Sequence, residues 1–241
     1  MAGIVPGWPE RVDAILFDAG GVLLDLDYAY LKRLIEARRV EVAVDELSRL
    51  EAVARREIHR QVANGGRVSE VWRDYFHVIL GRVGVSGPDQ DEIIDALWEA
   101  HQRFGLWTVP IPGAPETVVE LSRRGYRLGV VSNAEGRVER DLESAGFGKR
   151  LETVVDSHVV GVEKPDPRIF GIALERLGVS AERAVFVGDL PAVDVEGARA
   201  AGLTPVLIDR HDLYPEADAL RLRSIRELPA CFADEAKPPA R

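Results

Sequence analysis

The sequence predicts an α/β protein with a parallel sheet and an all-helical segment inserted after its first strand, and three observations carry that prediction. From about Gly113 onward, short β-branched runs alternate with helical stretches in regular order, the pattern of βαβ units. A run of the same character, "DAILFD" at residues 13–18, stands near the N-terminus with no partner close by in sequence. Between the two, residues 27–107 have helical texture and no strong strand.

Taken in order, "DAILFD" is an apolar run that ends on a carboxylate. The insertion then reads as four helices, "YAYLKRLIEARR", "DELSRLEAVARREIHRQVAN", "SEVWRDYFHVILGRVG" and "PDQDEIIDALWEAHQRF", separated by residues 40–44, "GGRV" and "VSG". Trp72, Tyr75, Phe76 and Ile79 have helical spacing and are expected in its core. "TVPIPG" has the proline density of a linker that returns the chain to the sheet. "APETVVELSRRG" is a helix closed by Gly125, and "YRLGVVSN" is a strand. "GRVERDLESAG" is helical and "LETVVDS" extended. "DPRIFGIALERLG" puts Ile169, Phe170, Ala173, Leu174 and Leu177 on one face, and "AVFVGD" is apolar almost throughout, as suits a strand buried on both sides. "VDVEGARAAG" and "TPVLID" complete the series, and the tail "ADEAKPPAR" is expected to be disordered.

A chain of 241 residues, 46% of them hydrophobic, can bury a core of this size without disulfide support. Its single cysteine, Cys231, has no intramolecular partner, and "MAGIVPGWPER" is too short and too broken by Pro and Gly for a signal segment, so cytoplasmic residence is expected. No apolar run approaches the roughly 20 residues that span a bilayer, so no membrane partner is expected. The net charge of -9, from 31 basic and 40 acidic residues, argues against a nucleic-acid surface. The histidines, at 59, 77, 101, 158 and 211, show no metal-ligand spacing. Arg67, in the turn "NGGRVS", reads as a solvated loop residue.

In an open parallel sheet, ligands bind where the carboxyl ends of the strands and their loops converge. Four polar signals sit at predicted strand ends or just beyond: Asp18, Ser132 with Asn133, Lys164, and Asp189 with Asp194. Singly, each has an ordinary reading as a cap, a turn residue or a solvated charge. Together they meet the needs of phosphoryl transfer. A carboxylate that attacks phosphorus forms an aspartyl-phosphate and divides one hard step into two. A magnesium ion held by carboxylates reduces the repulsion between nucleophile and phosphate, which gives Asp189 a reason to stand beside Asp18. Lys164 would then hold nucleophile and phosphate together, and Ser132 would donate to a phosphoryl oxygen.

On these residues the chain resembles the haloacid dehalogenase superfamily of hydrolases, in the subgroup with a helical cap. "LFDAGGVLL", "VVSNAEG", "GVEKPDPRIF" and "VFVGDLPAVDVEGARAAG" are similar to its four motifs, in their order, and span nearly the whole chain. The resemblance implies a Rossmann-like core from residues 1–26 and 108–241, with 27–107 as the cap. It implies Asp18 as nucleophile, Ser132 and Asn133 at the phosphoryl group, and Lys164 as the pairing cation. It further implies Mg2+ as cofactor, held at Asp18, the Gly20 carbonyl and Asp189, with Asp194 acting through water. A small phosphorylated metabolite such as a sugar phosphate is the implied substrate, and the protein is expected as a monomer or homodimer.

One position departs from the pattern. The family's phosphatases usually carry, two residues after the nucleophile, an Asp that protonates the leaving group and later activates water. Here that residue is Gly20, which keeps the carbonyl and loses the acid. General acid–base help is worth about 10²- to 10⁴-fold in rate. Asp25 and Asp27 are the nearest substitutes, although in "DLDYAY" they also read as caps of the first inserted helix. Gly20 and Gly21 equally suit a turn that brings backbone close to a ligand. The leading expectation is a magnesium-dependent phosphohydrolase. The alternatives are a metal-free 2-haloacid dehalogenase, whose family members usually have an aromatic residue where Gly20 stands, and a weakly active or non-catalytic binding protein.

Overall fold

The computed structural model describes residues 8–63 and 71–232. Arg67 and the tail from Ala233 lie outside the described residues, as does the side chain of His59. The chain divides into two compact units, one formed by Met1–Asp25 and Thr108–Arg241, the other by Leu26–Trp107. Among the described residues no helix is long and apolar enough to cross a membrane.

The first unit is built on six parallel strands: β1 (Ala14–Phe17), β4 (Arg127–Ser132), β5 (Thr153–Asp156), β6 (Ala184–Gly188), β7 (Thr204–Ile208) and β8 (Leu220–Leu222). Their order across the sheet is β5-β4-β1-β6-β7-β8. The chain lays β4 and β5 on one side of β1 and then crosses to build β6, β7 and β8 on the other. The direction of winding therefore reverses at β1, and ligand crevices in open α/β sheets form at such a point. The "AILF" and "AVFVG" runs are wholly buried, which is why they carry no polar alternation.

Helices α5 (Ala114–Arg123), α6 (Val138–Ser144), α7 (Ser157–Val160), α8 (Pro167–Leu177) and α9 (Glu196–Ala200) connect these strands. In α8 the Asp166 side chain accepts from the Arg168 N–H, Pro167 opens the first turn and Gly178 ends the helix at φ 60°. Its buried face is the expected set, Ile169, Phe170, Ala173, Leu174 and Leu177, and Phe170 meets Phe186 of β6 edge-on at 4.9 Å.

Three short strands fall outside what the pattern anticipates. Within "TVPIPG" and just before it lies β3 (Trp107–Pro110), paired with β2 (Leu24–Leu26) in a two-stranded sheet, and β8 adds an edge to the main sheet. Runs of three or four residues are too short to show a period.

Gly129 lies between Leu16 of β1 and Thr153 of β5, where a Cβ would come within 2.8 Å and 2.7 Å of their methyl groups. Gly129→Ala is therefore expected to destabilise the sheet by about 1–3 kcal/mol through overpacking. A thermal unfolding midpoint equal to that of the parent would refute this.

The second unit contains α1 (Tyr28–Glu36), α2 (Val44–Ala63), α3 (Trp72–Arg82) and α4 (Pro88–Phe104). Asp27 caps α1 by accepting from the Tyr30 N–H at 2.9 Å. Tyr75, Phe76 and Ile79 are buried, whereas Trp72 is only partly so. Packed within this apolar core is a carboxylate. Glu51 accepts from the hydroxyl groups of Tyr28 and Tyr75 and pairs with Arg55 at 2.6 Å. Burial, reinforced by Glu51, pushes the Tyr75 phenol well above its ordinary range, so that it remains a donor.

Candidate active site

Asp18, Ser132 and Asp189 come together because they sit at the carboxyl ends of three adjacent strands. Asp18 continues β1, its N–H bonded to the Val187 carbonyl at 2.8 Å. Ser132 is the last residue of β4 and is buried. Asp189 directly follows β6.

Lys164 arrives from the segment before α8 and is buried to 1% exposure. Its ammonium stands 2.9 Å from Asp18 Oδ1 and 2.8 Å from Asp194 Oδ1, over the Phe186 ring. Burial works against the charged lysine, but Asp18 and Asp194 outweigh it and hold its pKa above the ordinary value. For Asp18, burial raises the pKa, opposed by Lys164 and reinforced by Asp194.

Asp194 is brought here by a π-helical turn, Pro191–Val195, where a plain helical start is the sequence expectation. The wider turn folds the carboxylate back over its own entry: Oδ2 accepts from the N–H groups of Asp189 and Leu190 at 2.9 Å each, while Oδ1 faces Lys164. This close return requires glycine at 188, since a Cβ there would lie 2.2 Å from the Asp194 Cβ.

Oxygens of Asp18, Asp189 and Asp194 lie within 4.8 Å of one another. Two of them, Asp18 and Asp194, face the Lys164 ammonium. A cluster of three hard oxygen donors in a largely buried place fits a hard divalent cation. Asp194 already serves three protein donors, and Asp18 Oδ1 also accepts from the Ala19 N–H at 2.7 Å. Gly20 lies in the tight turn that follows, bridged to Leu24.

Asn133, next to Ser132, reaches across to the segment that carries Lys164. Its carboxamide is engaged with the Lys164 main chain at 2.7 Å and 2.9 Å. The two carboxylates considered as substitutes for the missing acid are also engaged: Asp27 caps α1, and Asp25 receives two hydrogen bonds from Arg210, at 2.7 Å and 2.9 Å. His158 packs beside Gly136 on the loop after Ser132. The Arg210 contact joins residues 185 apart, and nothing local in the sequence signals it.

A family model described as haloacid dehalogenase-like hydrolase matches residues 12–202. The chain is 31% identical over 219 residues to a glyceraldehyde 3-phosphate phosphatase of Methanopyrus kandleri, covering 86% of this chain and 89% of that one. It is 35% identical over 158 residues to a phosphoserine phosphatase of Thermus thermophilus, covering 64% of this chain but only 61% of that relative's length. Among solved structures, a hydrolase of the same family from Deinococcus radiodurans, with phosphate and sodium bound, superposes with a TM-score of 0.65 at 25% identity, covering 95% of this chain and 99% of that one.

Proposed function

The chain belongs to the haloacid dehalogenase-like hydrolases, and on that premise we propose that it is a magnesium-dependent phosphohydrolase of a small phosphorylated metabolite, working through an aspartyl-phosphate on Asp18. The observation that carries the proposal is the Lys164 ammonium between Asp18 and Asp194 at the point where the sheet reverses its winding.

In this reading Asp18 attacks phosphorus, the bond to the leaving oxygen breaks, and the carboxylate carries the phosphoryl group until water releases it. Lys164 favours the ionised form of Asp18 against its burial and offers positive charge to the phosphoryl oxygens. Ser132, at the end of β4, donates to one of those oxygens. Asp194 holds Lys164 in place. Asp18, the Gly20 carbonyl, Asp189 and Asp194 would hold a magnesium ion, which would supply charge neutralisation at the phosphoryl group. The helical unit Leu26–Trp107 is the cap that selects the substrate. Both relatives named above act, by their names, on small phosphate monoesters, and that is the class proposed here.

Phosphate release from an aryl phosphate and from a panel that includes phosphoserine and glyceraldehyde 3-phosphate tests the reading. Release is expected to fall to background after chelation and to return with Mg2+. No release from any phosphate would move the protein to the weakly active or non-catalytic reading that Gly20 favours. Chelator-resistant halide release from 2-haloacids would make it a dehalogenase.

A further inference from the structure

We propose that Asn133 is a positioning residue that fixes where the Lys164 ammonium stands; its catalytic consequence rests on the phosphohydrolase reading, its structural consequence does not. The Asn133 carboxamide closes a two-bond clamp on one residue. Oδ1 accepts from the Lys164 N–H at 2.7 Å, and Nδ2 donates to the Lys164 carbonyl at 2.9 Å. A donor facing an acceptor at both ends sets the orientation of the amide, and only Asn or a longer amide offers both in one planar group.

The base of the clamp is itself anchored. The Ala134 N–H donates to Ser157 Oγ at 3.1 Å, and that hydroxyl lies 3.2 Å from the Ala134 carbonyl. The Gly136 N–H donates to the buried Asp156 carboxylate at 2.9 Å. The loop after β4 is thus tied to the end of β5, and the carboxamide reaches Lys164 from a fixed frame.

Lys164 has a particular need of such a frame. Its four-methylene side chain is flexible, yet its ammonium must meet two carboxylates at 2.8–2.9 Å in a buried place. Asp194 restrains the head of that side chain; Asn133 restrains its root. Because Asn133 directly follows Ser132, the same clamp ties the Ser132 hydroxyl and the Lys164 ammonium, two groups proposed to meet one phosphoryl group, to one rigid segment. A misplacement of about 1 Å can cost on the order of 10²-fold in rate.

The test uses the full-length protein with Asn133→Ala and Asn133→Asp. Aspartate keeps the acceptor for the Lys164 N–H but turns an oxygen toward the Lys164 carbonyl, so it breaks half of the clamp at nearly constant shape. Two readouts are taken: kcat on the best phosphate substrate, and the rate at which Lys164 is modified by an amine-reactive reagent, followed by mass spectrometry with exposed Lys149 as the internal standard. Ile79→Ala, which opens a cavity in the core of the helical unit, controls for general destabilisation. Both Asn133 variants are expected to lower kcat by about 10- to 100-fold, the range for a group that orients a functional side chain. Both should also speed modification of Lys164 relative to Lys149, while Ile79→Ala leaves that ratio unchanged. Unchanged protection of Lys164 in both variants would overturn the proposal, and a fall in kcat alongside it would mean that Asn133 meets the substrate directly. If the parent protein releases no phosphate at all, the phosphohydrolase reading fails, and the labelling ratio still decides the clamp.

Discussion

Asp18→Asn is expected to abolish phosphate release, by on the order of 10⁴- to 10⁶-fold, while leaving the protein folded. The size of the loss follows from chemistry: an amide oxygen is not an anionic nucleophile and cannot form the acyl phosphate. The retention of fold follows from the surroundings. Burial raises the pKa of Asp18, so its charge is a burden on the folded state rather than a source of stability. Lys164 keeps Asp194 as a partner at 2.8 Å, so the substitution does not strand a buried ammonium. Thermal unfolding beside phosphate release checks both halves. In the parent, mass spectrometry of acid-quenched enzyme should find a phosphoryl group on the peptide that contains Asp18. Substantial activity in the asparagine variant would remove Asp18 as nucleophile.

Gly20→Asp is expected to raise turnover by about 10²- to 10⁴-fold on alkyl phosphates, the usual worth of a general acid–base group. The nearest carboxylates already have other work, Asp25 with Arg210 and Asp27 at the start of α1. The backbone accepts the change: Gly21 has φ 78° and needs to be glycine, whereas Gly20 is not among the residues with positive φ. The gain should be much smaller on an aryl phosphate, whose leaving group departs without a proton. Equal changes on alkyl and aryl substrates, or a fall on both, would show that leaving-group protonation does not limit the parent enzyme.

Local pattern alone was enough for the α/β class and for most elements. The apolar spacing of α8 and the unbroken apolar run of β6 are properties of neighbouring residues, so they are readable wherever the chain goes. The strand-end placement of Asp18, Ser132 and Asp189 was legible for the same reason, because each directly ends or follows a recognisable strand. Tertiary structure decided what those residues touch. Glu51 and Arg55 look like a solvated i,i+4 pair until the surrounding helices bury them with Tyr28 and Tyr75. The Asn133 carboxamide reads as turn chemistry until the sheet brings it to Lys164, 31 residues away. Asp194 reads as one more metal carboxylate until the π-helical turn points it at Lys164 and two backbone N–H groups. Periodicity reports which face of an element is buried, because burial repeats with the geometry of one helix or strand. The partner of a single polar group repeats with nothing, and only the folded chain, by closing loops of very different lengths, selects it.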